Sequence, residues 1–233
     1  MASARYSCRP ARSNVLKQLI ATFSIALCAL PAFADGLESL ELFIRSTASG
    51  RADFTQVVTS PPREGQAARS RTSSGTFEFV RPSRFRFNYR KPFEQVLVAD
   101  GQTLWLYDVD LNQVTARAQS SVLGSTPAAL IASAPNLQAL QAEFTLANAP
   151  ERDGLQWVTA TPKARDSQLQ SVRVGLREAD KGGAKTAELA TLEIVDSFGQ
   201  RSVLSFNRVQ VNPPIPAETF RFKPPAGADV IRQ

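Results

Sequence analysis

The sequence has 233 residues, 27 of them basic and 21 acidic, and its formal net charge is +6. It contains no histidine, and its only two cysteines are Cys8 and Cys28. These counts exclude Ser-His-Asp and Cys-His catalysis and the ordinary zinc sites. We therefore expect neither an enzyme nor a metal or cofactor site.

The first 34 residues have the three parts of a secretory signal peptide. A basic segment precedes the apolar run 19–30, which is shorter than the ~18 residues that a membrane span needs. Ala32-Phe33-Ala34 follows as a small-residue cleavage site. Lipidation at Cys28 is set aside because Leu27 precedes it, where a lipoprotein signal has a small residue. We expect cleavage after residue 34 and export of one domain, residues 35–233.

Removal of the signal changes what charge and cysteine content imply. Both cysteines and four basic residues lie within residues 1–34, so the mature chain has no thiol and a net charge of +2. A disulfide framework is therefore not expected. The high isoelectric point belongs mainly to the targeting segment and gives little reason to expect nucleic acid as a partner.

The mature chain begins with a predicted helix from Asp35 to Ser46, with Asp35 as N-cap. Alternating segments then predict strands on both sides of residues 119–142. In chain order these segments are ADFTQVVT, GTFEFV, RFRFNYR, EQVLVAD, TLWLYDV, NQVTARA, EFTLANA, GLQWVTATP, LQSVRVGL, AELATLEIVD and RSVLSFNRVQV. The end, ETFRFKPPAG, is predicted to be one more short strand that stops at the two prolines.

Two stretches interrupt the strand pattern. Residues 61–75 are rich in Pro, Gly, Ser and Arg and are predicted to form a mobile loop. The middle segment predicts a short apolar helix, capped by Ser125 or Thr126 with Pro127 in its first turn, and a second helix over 135–142. So few helices cannot cover a sheet on both sides. About ten or eleven closely spaced strands therefore predict a mainly β fold, a highly curved antiparallel sheet that forms a barrel or half-barrel. The helices could plug one open face of it.

The segment RFRFNYR, residues 84–90, places aromatic and basic side chains on alternate positions. A basic strand with stacking aromatics can bind single-stranded nucleic acid. Here the rings and the arginines fall on opposite faces of the strand, and the mature chain is nearly neutral. We therefore expect no nucleic acid, and arginines that face water or a partner.

Each aromatic residue of this strand, considered alone, could simply be part of the hydrophobic core. Together with the apolar residues of neighbouring strands, however, the rings exceed what two short helices can cover, which favours an apolar cavity. The residues predicted to line it are Phe54, Phe77, Phe79, Phe85, Phe87, Leu97, Leu104 and Leu106.

Six motifs in order resemble those of the periplasmic outer-membrane lipoprotein carrier family, LolA. They are F-T-Q (54–56), R-P-x-x-F-x-F (81–87), L-V-x-D-G-x-T-L-W-x-Y (97–107), T-P-x-x-L-I (126–131), T-P-K (161–163) and F-x-F-x-P-P-x-G (220–227). The resemblance spans nearly all of the mature chain. It departs at Phe87, where a Trp can occur, and at Ala128, where a bulky aromatic can occur.

The resemblance implies an unclosed antiparallel β half-barrel of about eleven strands, with a short helical lid over an apolar cavity. It also implies a periplasmic monomer that shields the acyl chains of lipoproteins in that cavity. Such carriers accept cargo from an inner-membrane ABC-type release complex and deliver it to an outer-membrane receptor. The resemblance assigns to Arg81 the role of holding the lid shut, through backbone carbonyls near Ala129, Leu130 and Ile131. It adds Leu130 and Ile131 to the cavity, and places handover contacts on Phe85 and Phe87. A half-barrel sensor, or a carrier of another acylated molecule, is the alternative; the sequence does not identify the cargo.

Overall fold

The computed structural model describes residues 35–62, 67–122, 131, 134–165, 167–181 and 183–233. Its helices are α1 (Gly36–Ser46), α2 (Gln119–Val122), α3 (Leu137–Glu143) and a 3-10 helix, Ala217–Phe220. The strands are β1 (Ser49–Thr59), β2 (Ser70–Val80), β3 (Arg84–Lys91), β4 (Gln95–Ala99), β5 (Thr103–Asp108), β6 (Gln113–Ala118), β7 (Phe144–Arg152), β8 (Leu155–Pro162), β9 (Leu169–Lys181), β10 (Ala184–Asp196), β11 (Arg201–Val211) and β12 (Asp229–Arg232). None of the helices in this part of the chain is long and apolar enough to cross a membrane.

The twelve described strands form one sheet in the order β12-β6-β5-β4-β3-β2-β1-β11-β10-β9-β8-β7. Neighbours are antiparallel except β12, which runs parallel to β6. β12 and β7 are the two edges and do not pair with each other, so the sheet is unclosed. The predicted mainly β fold with an unclosed sheet is confirmed, and each of the eleven segments before residue 212 forms a strand.

Helix α1 begins where the sequence predicts it, because the Asp35 side chain accepts a hydrogen bond from the backbone N–H of Glu38 at 2.9 Å. That bond comes first among those that hold the pKa of Asp35 below its usual value. The helix packs against β7 to β10. Its first residue must be glycine, since a Cβ on Gly36 would lie 2.1 Å from the carbonyl oxygen of Trp157.

The face of the sheet that α1 covers is called the concave face here. The main core cluster lies on it and combines α1 residues such as Phe43 with alternate residues of β1, β2, β3 and β8 to β11. The opposite, convex face has buried residues of its own, including Val98 and Val114. The convex face of the sheet around β4 to β6 is therefore also covered.

The C-terminal prediction is wrong. Residues 217–220 form a 3-10 helix rather than a strand, and the strand of this region comes after the two prolines, at Asp229–Arg232. The alternation of Phe220 and Phe222 resembles a strand, but both side chains pack on the convex face, where no neighbouring strand is available to pair with them. Tertiary packing overrides the local pattern.

Two further predictions need adjustment. The predicted loop 61–75 is shorter, because β2 begins at Ser70, which pairs with Thr59; the two hydroxyls lie 2.9 Å apart. The second predicted helix is present as α3, with Asn136 as its cap. The first predicted helix of the middle segment lies, except for Ile131, outside the described residues.

Candidate functional site

The concave face carries a set of stacked rings that we call the aromatic floor. Its members are Phe54, Phe77, Phe79, Phe85, Phe87 and Phe206, all at most 4% exposed. Strand pairing brings them together, because Phe77 lies opposite Phe87 and Phe79 opposite Phe85. The Phe77 and Phe87 rings stack with their centroids 4.3 Å apart, and Phe54 meets Phe87 edge-on at 5.3 Å. The five phenylalanines expected to share one surface do so.

The predicted leucines continue this face toward β5. Leu97 and Leu104 are partly buried against the core cluster. Leu106 lies opposite Leu97, which lies opposite Phe87, so its position is on the concave face, yet it is 41% exposed. Ile131 is buried in the same cluster, and Leu130 lies outside the described residues. Near β5 the concave face is therefore open to solvent.

The floor itself is closely packed. Among the described residues, an apolar space of about 20 Å³ lies between Phe43, Phe77, Phe79 and Phe206. That volume holds about one water molecule, far less than an acyl chain. The space between these four rings is therefore too small to receive an acyl chain.

Residues 119–136 connect β6 near one edge of the sheet with α3 and β7 at the other. Of these, the structure describes 119–122, 131 and 134–136, which we call the covering segment. Its start is fixed by Gln119, whose side chain donates to the carbonyl of Ser83 at 2.6 Å and accepts from the N–H of Gly101 at 3.0 Å. Ile131 and Ala134 belong to the core cluster of the concave face. The described part of this segment therefore lies over the aromatic floor.

Arg81 joins this segment to α1 and to the sheet. It lies between β2 and β3, where its Nε donates to the carbonyl of Thr47 at 2.8 Å and its Nη1 to that of Ala134 at 2.9 Å. The guanidinium also lies over the ring of Phe43, at 5.2 Å, and that of Phe79, at 5.6 Å. These are contacts of the planar, always charged fork of arginine.

The described acceptors of Arg81 are not those named by the prediction, which stays untested for Ala129 and Leu130. The bond to the covering segment goes to Ala134 rather than to Ile131, and Ala129 and Leu130 lie outside the described residues. A second bond, to Thr47 at the end of α1, was not predicted. Backbone carbonyls are chemically alike at every position, so no sequence signal distinguishes one acceptor from another.

The burial of the charged Arg81 side chain is energetically unfavourable. Burial lowers its pKa from 12.5 to about 10. Within the described residues, its Nη2 has no hydrogen-bond partner, and neither has the buried hydroxyl of Thr47. An unsatisfied buried donor is unfavourable, so these contacts stabilise the position of the segment less than their number suggests.

The three arginines on the other face of β3 were predicted to face water or a partner. Arg90 is exposed, whereas Arg84 and Arg86 are partly buried. Arg86 donates to the carbonyl of Thr219 at 3.1 Å, and Arg84 lies 5.9 Å from the ring of Phe220, which is 1% exposed. These two arginines fix the C-terminal segment to the convex face. The missed signal is the apolar content of both faces of β5, since Trp105 and Tyr107 are in contact with Phe222.

In the part of the chain that the structure describes, no group of three or more His, Cys, Asp or Glu residues could hold a metal ion. The geometry there is that of a β-sheet protein with a covered apolar wall.

The comparisons with known proteins agree with this class. The model of the outer membrane lipoprotein carrier protein LolA family matches residues 45–223. An outer-membrane lipoprotein carrier protein of Albidiferax ferrireducens is 70% identical over 91% of this chain and 98% of its own. One of Leptothrix cholodnii is 51% identical over 90% of this chain and 93% of its own. A crystal structure of a LolA superfamily protein from Nitrosomonas europaea, 14% identical, aligns over 80% of this chain and 96% of its own with a TM-score of 0.48. The chain belongs to the outer membrane lipoprotein carrier (LolA) family.

Proposed function

We propose that this protein is a periplasmic carrier that shields the acyl chains of lipoproteins between the inner and the outer membrane. The observation that carries the proposal is the aromatic floor beneath a segment that one buried arginine holds in place. The names of the relatives, which describe lipoprotein carriers, support it.

The energetics of the cargo explain why such a wall is needed. Each buried CH₂ group of an acyl chain contributes about 0.8 kcal/mol, so one chain of ordinary length contributes on the order of 10 kcal/mol. A lipoprotein anchor with several chains does not leave a membrane for water at a useful rate without an apolar surface to receive it. The floor supplies that surface on the inside of a protein whose outside is charged.

Opening is the step that couples loading to release. In the closed state the rings fill the space that cargo needs, so the covering segment has to give up its contact with Arg81 when acyl chains enter. The apparent affinity for cargo is reduced by the fraction of protein that is open. Closure regains the bonds to Thr47 and Ala134 and so favours release to the next partner.

The partners follow from this cycle. An ABC-type complex of the inner membrane would supply the cargo, and an outer-membrane receptor would accept it. Exposed apolar tips at one end of the sheet, Phe93 at 62% and Phe198 at 80%, are candidate contacts for such partners. Catalysis has no role in this cycle.

Export requires removal of the predicted signal, residues 1–34. Intact-mass measurement of the protein from the periplasmic fraction should give a chain that begins at Asp35. A mass that includes residues 1–34, or that carries an acyl group on Cys28, would contradict this part of the proposal.

The carrier function is tested with a synthetic lipopeptide that bears three palmitoyl chains on its N-terminal cysteine. The mature protein should co-elute with it in size-exclusion chromatography, whereas the same peptide without acyl chains should elute alone. Equal behaviour of the two peptides would refute acyl-chain binding.

A further inference from the structure

A row of polar side chains lies on the concave face beside the aromatic floor. On β3, Tyr89 is two residues beyond Phe87 and so occupies the same face one repeat further on. Its hydroxyl donates to Oε1 of Gln56 on β1 at 3.0 Å, and Nε2 of Gln56 donates to Oγ of Ser202 on β11 at 2.7 Å. Three strands of the sheet thus contribute to one hydrogen-bonded chain at the border of the floor.

A glycine makes this row possible. Between β1 and β3, strand β2 has Gly75 opposite both Phe54 and Tyr89. A Cβ at Gly75 would lie 3.0 Å from the Phe54 ring and 1.8 Å from the carbonyl oxygen of Asn88. With no side chain there, Tyr89 reaches across β2 to Gln56, and its ring lies 5.0 Å from that of Phe54.

The chain of hydrogen bonds leaves donors free at one end. A primary amide has two N–H donors and a hydroxyl has one. Gln56 uses one N–H on Ser202, which accepts it, so the second Gln56 N–H and the Ser202 O–H remain without an acceptor among the described residues. Bonds that run in one direction polarise each other and strengthen the last donor.

The position of these donors decides what they can bind. Ser202 is 9% exposed and Tyr89 is mostly buried, which raises the pKa of the Tyr89 hydroxyl to about 12 and keeps it protonated. Uncharged donors beside an apolar wall suit an uncharged acceptor, since a carboxylate or phosphate brought there would lose most of its hydration. Ester and amide carbonyl oxygens have this chemistry.

We propose that Gln56 and Ser202, supported by Tyr89, form a subsite for the ester carbonyls at the root of the acyl chains. The inference rests on the proposed carrier function, and it specifies how far the acyl chains of the cargo extend into the protein. With its carbonyls at this row, an acyl chain extends from its first methylene over Phe54 and Phe87 and the rest of the floor, while the glycerol and the protein part remain outside.

The test compares two lipopeptides that differ only at the carbonyls. One carries two palmitoyl esters on the glyceryl group, and the other carries two hexadecyl ethers. Wild-type protein should bind the ester form about fivefold more tightly, the value of one net neutral hydrogen bond. Affinities are measured by competition with a fluorescent lipopeptide, and thermal melts verify the fold of every variant.

Ser202→Ala removes the terminal donor and should lower affinity for the ester about fivefold while affinity for the ether stays the same. Gln56→Leu should abolish the ester preference as well. Ser205→Ala is the matched control, because Ser205 lies on the same strand but on the opposite face; it should keep the preference.

The outcomes of these experiments distinguish failure of the ester-carbonyl subsite from failure of the proposed carrier function. Tight but equal binding of ester and ether by the wild type would overturn the subsite and leave the carrier in place. Retention of the ester preference by both Ser202→Ala and Gln56→Leu would also overturn it. Binding of neither lipopeptide above an unacylated peptide would refute the carrier function itself.

Discussion

Arg81→Leu tests how the covering segment is held. The substitution removes the two hydrogen bonds to the carbonyls of Thr47 and Ala134. Hydrogen bonds to charged groups contribute ~1.5–3 kcal/mol each, or about 3–6 kcal/mol together. Leucine keeps an apolar side chain between the rings of Phe43 and Phe79, so the sheet beneath should remain packed.

Burial offsets much of that contribution. A pKa lowered from 12.5 to about 10 corresponds to roughly 3 kcal/mol of lost solvation. Arg81 then favours the closed arrangement by about 0–3 kcal/mol. The middle of this range, about 1.5 kcal/mol, changes the ratio of open to closed protein a little over tenfold. A contact of this size holds the segment without preventing its release.

Loading and unloading should therefore respond in opposite directions. Without Arg81 a larger fraction of the protein is open, so the apparent affinity for cargo should rise by about tenfold. Closure regains less free energy, so transfer of bound lipoprotein to the outer-membrane receptor should slow by a similar factor. Arg81→Lys, which keeps the charge but lacks the planar fork, should lie between the two.

The assay is a two-step transfer in which binding of lipoprotein released from inner membranes and its delivery to outer membranes are scored separately. Wild-type unloading by Arg81→Leu, with loading unchanged, would refute the account of Arg81. Loss of loading would show instead that Arg81 contacts a partner directly.

Two further substitutions test the concave face. Leu106→Glu places a carboxylate on its exposed part, so it should change stability by no more than about 0.5 kcal/mol while weakening lipopeptide binding about tenfold or more. Leu111→Glu, in the turn between β5 and β6 and 71% exposed, is the control, and equal binding by the two variants would contradict the placement of Leu106. Tyr89→Phe tests the burial of the Tyr89 hydroxyl. Folding raises the pKa of Tyr89 from 10.0 to about 12, so the hydroxyl ionises at a lower pH in the unfolded state than in the folded state. The contribution of this pKa difference to the free energy of unfolding is therefore complete below pH 10 and is lost between pH 10 and 12. Urea unfolding should show wild type losing roughly 2–3 kcal/mol more than Tyr89→Phe over that interval, and equal losses would show that the hydroxyl is not buried.

The strands could be predicted because one face of most of them is buried and the other is polar, which leaves an alternating pattern in the sequence. Helix α1 could be predicted because Asp35 is a typical N-cap residue and apolar residues follow it at helical spacing. The convex-face contacts of Arg84 and Arg86 could not, since alternation separates two faces but does not say what covers the second one.

Contacts between segments that lie far apart in the sequence could not be predicted from it. The carbonyl of Ala134 is an acceptor only because the covering segment brings it to Arg81. The row from Tyr89 to Ser202 depends on strand register and on the absence of a side chain at Gly75. A local pattern contains neither piece of information.

If this protein carries acylated proteins through the periplasm, those proteins should co-purify with it. The most direct measurement is mass spectrometry of the lipid-bearing proteins that co-purify with it from periplasm under native conditions. We expect a diverse set of lipoproteins, each with its acyl anchor, and their loss when Leu106 is replaced by Glu. Recovery of a single dedicated partner without lipid would contradict the account and favour a sensor.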